Sequence, residues 1–131
     1  MRKIKYTFIL YILLSFNLIY AAVPVYTENQ KNIVVTAGQP QFVIQLKSNR
    51  TTGYSWVLRQ YDVRFVKVIK HQYISPTSKL IGASGIELWL LELTAEGLTM
   101  SEETELYFAY MRPWEQKEPV RQLVFNVRCS V

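Results

Sequence analysis

The chain has 131 residues, 15 basic and 10 acidic, and half of its side chains are apolar, which suits one domain with its own core. A single cysteine excludes an intramolecular disulfide, and with a single histidine it cannot complete a zinc site. The basic balance does not point to nucleic acid, because three of the basic residues lie at the start and no basic stripe follows.

In chain order, Arg2, Lys3 and Lys5 precede an uncharged stretch from Tyr6 to Ala22 that ends in Ala21-Ala22. A basic start, an apolar middle and small residues at the end form the pattern of a secretory signal peptide. Residues 1–22 are therefore assigned as a leader and 23–131 as the mature domain. The stretch is near the lower length limit for a membrane span, but the small residues at its end favour cleavage. The expected product is secreted or periplasmic and has no membrane segment. Without the leader, twelve basic and ten acidic residues remain, a net charge of +2.

Past the leader, apolar and polar residues alternate with period two, the signature of half-buried strands. Strands are predicted over 32–36, 41–47, 54–59, 63–73, 86–90, 105–110 and 122–128. The alternating sets are Phe42, Ile44 and Leu46; Tyr54, Trp56 and Leu58; Ile86, Leu88 and Leu90; Leu106, Phe108 and Tyr110; and Leu123, Phe125 and Val127. Turn signals separate them in the opening stretch and at 37–40, 75–78, 82–85, 95–97 and 112–114. The acidic stretch 99–104 is read as a strand edge or loop facing water. Seven or so short strands at this spacing predict an all-β, immunoglobulin-like antiparallel sandwich. The Cys…Trp…Cys signature of true immunoglobulin domains is missing, so the expectation concerns architecture only.

Catalysis finds no candidates. A Ser-His-Asp triad needs three converging partners, and the lone His71 and Asp62 sit on or beside one strand region. Cys129, two residues from the chain end, reads as a small buried or edge thiol rather than a nucleophile. Glu102, Glu103 and Glu105 read as a solvated face rather than a carboxylate pair. No metal or cofactor is implied.

Binding remains, and loops on a β scaffold are its usual seat. The stretch Ser-Asn-Arg-Thr-Thr-Gly-Tyr-Ser-Trp, 48–56, puts two χ1-stiff threonines at the tip of a turn anchored by Asn49 and Gly53. Their hydroxyls either bond a partner's backbone or satisfy the turn's own amides. The loop 79–85 carries glycines that allow close backbone approach. Met111-Arg112-Pro113-Trp114 places two residue types enriched at binding hot spots on a proline-braced loop. Trp56 and Trp89 lie inside strands and are expected in the core or on a sheet surface.

Three stretches, "SNRTTGYSW", "KLIGASGIELW" and "YMRPWE", resemble in order and spacing the three signature loops of the chagasin family. These are protein inhibitors of papain-like cysteine proteases, and the resemblance spans roughly 33–127. It implies an immunoglobulin-like sandwich whose loops gather at one end and reversibly block the protease's catalytic Cys–His pair. Carried over by position, it implies binding roles for Asn49, Thr51, Thr52, Gly53 and Tyr54, then Gly82, Ala83 and Gly85, then Arg112, Pro113 and Trp114. The first two loops would lie near the catalytic centre, and Trp114 would brace the cleft rim. Arg50 stands where the family has proline, and Ser84 where it has glycine. The loss of proline frees the unbound loop, worth about 0.4–1 kcal/mol, and Ser84 restricts the backbone if that position needs positive φ. The implied partner is a papain-like protease of the producer or of a host, bound by a monomer without any cofactor. The competing reading is a secreted immunoglobulin-like binding or adhesion module with a different ligand; an enzyme stands third.

Overall fold

Phe42, Ile44, Leu46, Leu91, Leu106, Phe108, Phe125 and Val127 are all essentially inaccessible to water and face one another across two sheets. Each such side chain contributes roughly 1.5–3 kcal/mol of burial, which lets a domain of this size hold without a disulfide. The computed structural model describes residues 23–77, 80 and 82–130; the leader assigned to 1–22 lies outside them. Among the described residues eight strands form the sandwich: β1 Val25–Thr27, β2 Asn32–Thr36, β3 Gln41–Ser48, β4 Ser55–Gln60, β5 Val66–Ile74, β6 Gly85–Leu93, β7 Thr104–Met111 and β8 Arg121–Ser130. One sheet has the order β1-β3-β6-β5 and the other β2-β8-β7-β4.

The all-β immunoglobulin-like sandwich is as expected, with four refinements. The opening stretch, read as a turn, contains β1, too short at three residues to show alternation. The pairs β1·β3 and β2·β8 are parallel, while the remaining pairs are antiparallel. The strand expected over 63–73 starts only at Val66, because Asp62 holds the preceding turn by accepting the Arg64 N–H at 3.0 Å. In β6 the inward set is Gly85, Glu87, Trp89, Leu91 and Leu93, so Leu88 and Leu90 face the outside. Period two fixes alternation but not phase when both faces are rich in apolar residues.

Strand register sets the position of the loops. Ser48 at the end of β3 lies opposite Gly85 at the start of β6, and Ile74 at the end of β5 lies opposite Ile86. In the other sheet, Ser55 opens β4 opposite Met111, and Tyr110 lies opposite Arg121 at the start of β8. The β3–β4, β5–β6 and β7–β8 connections therefore all leave one end of the sandwich.

Candidate protein-binding site

The β3–β4 connection is a short 3-10 turn, Arg50–Thr52, closed at both ends by its own sequence. Asn49 caps the start, its Oδ1 accepting from the Thr51 N–H at 3.2 Å and from the Thr51 hydroxyl at 2.6 Å. The Thr52 hydroxyl donates to the Asn49 carbonyl at 2.7 Å. Gly53 ends the turn at φ +82°, a conformation that disfavours any side chain. The threonine hydroxyl protons are thus spent inside the turn. Of the two roles left open for them, local satisfaction is the one observed; the Thr52 hydroxyl also accepts the Tyr54 N–H at 3.5 Å, and both threonines remain exposed.

The β7–β8 connection braces this turn. Arg112 donates from Nε to the Thr52 carbonyl at 3.0 Å, lies 4.6 Å over the Tyr54 ring and pairs with Glu115 at 3.1 Å. The Trp114 indole rests against Gly53, where a Cβ would come within 2.6 Å of its Cη2. Trp114 is nonetheless 70% exposed, whereas Trp56 at 2% and Trp89 at 8% belong to the core. Tyr110 completes the brace: its hydroxyl accepts the Asn49 N–H at 3.0 Å, and its ring lies 5.5 Å from Tyr54 and 5.0 Å from Trp56.

The β5–β6 connection joins through Tyr73. The Arg50 guanidinium sits 4.4 Å above this ring, and a Cβ on Gly85 would lie 2.5 Å from its hydroxyl oxygen. Gly82 takes φ +85° in a turn that the Ala83 N–H closes on the Leu80 carbonyl at 3.2 Å. Gly82 and Ser84 are exposed, Ala83 is half-buried and Gly85 is buried as the first residue of β6. Among the described residues only Gly53 and Gly82 have positive φ, so Ser84 meets no left-handed restriction.

The structure thus brings Asn49, Arg50, Thr51, Thr52, Gly53 and Tyr54 together with Arg112, Pro113 and Trp114. Gly82, Ala83, Ser84 and Gly85 lie at the same pole, linked to the first loop through Tyr73.

Sequence reasoning missed the polar tie beneath the loops. Glu87 is fully buried; one carboxylate oxygen accepts the Trp56 N–H at 2.9 Å, and the other lies 2.7 Å from His71 Nε2. The His71 ring stacks on Trp89 with centroids 3.7 Å apart. Trp56 in turn donates from Nε1 to the Lys47 carbonyl at 2.8 Å. Glu87 therefore ties β6 to the start of β4, across the sandwich and directly below the turn. The signal that could have revealed it was a glutamate, Glu87, in phase with Trp89, Leu91 and Leu93 on a strand rich in apolar residues. Away from this pole, the Arg64 guanidinium holds the Asp62 carboxyl below the usual carboxylate range, and a hydrogen bond to Glu105 raises the Tyr107 phenol. Cys129 is a half-buried free thiol on β8, and no metal-binding cluster occurs among the described residues.

Loops cross-braced at one end of a β-sandwich, with an exposed indole among them, form the candidate surface for docking on another protein. Residues 35–129 match the model of the chagasin family peptidase inhibitors, I42, and the chain belongs to that family. It is similar to chagasin of Trypanosoma cruzi, 35% identical over 91 residues that cover 66% of this chain and 77% of that protein. Amoebiasin-2 of Entamoeba histolytica is 29% identical over 116 residues, covering 82% and 86% of the two chains. The crystal structure of the cysteine protease inhibitor EhICP2 from Entamoeba histolytica matches the fold with a TM-score of 0.67 at 22% identity, over 83% of this chain and 98% of that one. Membership of an inhibitor family sets the enzyme reading aside.

Proposed function

We propose that this protein is a reversible, tight-binding inhibitor of papain-like cysteine proteases, plugging the active-site cleft with its three adjacent loops. The observation that carries this reading is the cross-bracing at one pole: Arg112 on the Thr52 carbonyl, Trp114 on Gly53, and Arg50 on Tyr73. A surface ordered before contact loses little entropy on docking. Area supports the need for all three loops, since stable interfaces bury about 800 Å² per partner and a five-residue tip alone does not reach that. Nanomolar affinity corresponds to roughly −12 kcal/mol. The kinship to chagasin and to inhibitors of cysteine proteases supports the choice of target over an adhesion ligand.

In this reading the mature domain acts as a secreted or periplasmic monomer on a protease of the producer or of a host. The exposed residues Arg50, Thr51, Thr52, Gly82, Ser84, Pro113 and Trp114 make the contacts, while Asn49, Gly53, Tyr54, Ala83, Gly85 and Arg112 shape and hold them. Titration of papain with the purified domain tests the proposal. Stoichiometric, reversible loss of activity is expected; full activity at a large molar excess would refute it.

A further inference from the structure

We propose that Arg50 determines specificity, favouring papain-like proteases that present a carboxylate on the cleft wall facing the tip of the β3–β4 loop. The inference rests on the inhibitor reading and adds the chemistry of the preferred target.

Arg50 opens the 3-10 turn, and its carbonyl accepts the Gly53 N–H at 3.0 Å, so its backbone is held. Its side chain is held as well, with the guanidinium carbon 4.4 Å above the centroid of the Tyr73 ring. Tyr73 is anchored in the β5·β6 ladder opposite Glu87 and packs on the bare Cα of Gly85. A cation–π contact draws on the charge of a guanidinium without consuming its N–H donors, the fork that matches a carboxylate.

The chain supplies no acid to this fork through any ion pair among the described residues. At this pole Glu115 is paired with Arg112 and Glu28 with Arg121, Glu87 is buried between His71 and Trp56, and the exposed Glu118 sits on the β7–β8 connection beside Tyr54 and Arg112, in no ion pair with Arg50. Arg50 is thus a pre-oriented cation at an exposed tip. Entry into a cleft strips its water. A carboxylate opposite compensates that loss, whereas an apolar or basic wall leaves the charge unpaired and is disfavoured. The selectivity therefore has an attractive and a repulsive part, both carried by one residue.

The test uses the full mature domain, with Arg50→Gln and Arg50→Pro variants, against papain and a panel of papain-like proteases of differing cleft charge. Inhibition constants and association rates are measured from about 20 to 300 mM NaCl. Proline suits the first position of such a turn, so Arg50→Pro keeps the loop stiff while removing the charge. Proteases with an acidic cleft should be inhibited about tenfold or more less well by both variants. The loss should shrink as salt rises. Proteases without such a carboxylate should be inhibited equally or better by the variants. A uniform change across the panel, or none, overturns the specificity role while leaving the inhibitor reading intact. Failure of the unsubstituted domain to inhibit any member of the panel overturns both.

Discussion

Replacing Gly53 by alanine separates the shape of the loop pole from the stability of the sandwich. Two effects meet at this position. The backbone is left-handed at φ +82°, and a side chain there costs about 1–2 kcal/mol. The added methyl would also stand 2.6 Å from Cη2 and 3.1 Å from Cζ2 of Trp114, so the indole must leave its seat. Because Trp114 is mostly exposed, it can swing outward without disturbing the core, and the stability cost stays near the backbone term. For a domain of about this size that corresponds to a Tm lower by about 4–10 °C. Gly82→Ala is the matched control, since it has φ +85° but nothing within 4 Å of the added methyl. The assay is acrylamide quenching of tryptophan fluorescence beside thermal melting. Trp56 and Trp89 are buried, so the quenchable signal belongs to Trp114. Gly53→Ala should raise quenching and weaken papain inhibition at least tenfold; Gly82→Ala should lower Tm similarly and leave quenching alone. Equal quenching in Gly53→Ala and the unsubstituted domain would show that the indole does not depend on the glycine seat.

Thr51→Ala/Thr52→Ala and Trp114→Ala should each raise the inhibition constant for papain at least tenfold; unchanged constants in both would remove these residues from the site. Arg112→Lys keeps the charge but not the fork that reaches both the Thr52 carbonyl and Glu115. It should weaken inhibition about tenfold with little change in urea midpoint, and a loss of fold stability instead would recast Arg112 as purely structural. Glu87→Leu leaves the Trp56 N–H without an acceptor, at about 1–3 kcal/mol by urea denaturation. Glu87→Gln retains an acceptor oxygen and should lose less; the reverse order would contradict the role of that bond. Asp62, lowered in the folded state by Arg64, contributes stability above the unfolded carboxylate range that is lost as pH falls through its folded value. Asp62→Asn should therefore flatten the acid limb of a stability–pH curve, and an unaltered limb would count against the pairing.

What the sequence disclosed and what it withheld divide along one line. Alternation at Phe42, Ile44 and Leu46, or at Leu123, Phe125 and Val127, reports burial residue by residue, and the structure agrees there. The first loop stood out through two threonines at a turn tip, and the three together through their order and spacing, which resemble the signature loops of a known family. Contacts between distant segments were not legible. Nothing local to Tyr110 announces that its hydroxyl accepts the Asn49 N–H, 61 positions away. The phase of β6 was misleading for a related reason. Glu87 looks like a solvent residue until His71 and the Trp56 N–H are seen to satisfy its carboxylate. The span β1 carries too few residues to alternate at all.

The 3-10 turn of the β3–β4 connection is capped by its own residues but is seated by others: it leans on Arg112 and Trp114, and its first residue leans on Tyr73. Transplanting this turn alone onto a foreign scaffold would therefore carry its internal hydrogen bonds but leave its supports behind. Retargeting such a molecule calls for redesign of the whole tip as one unit, aromatic supports included.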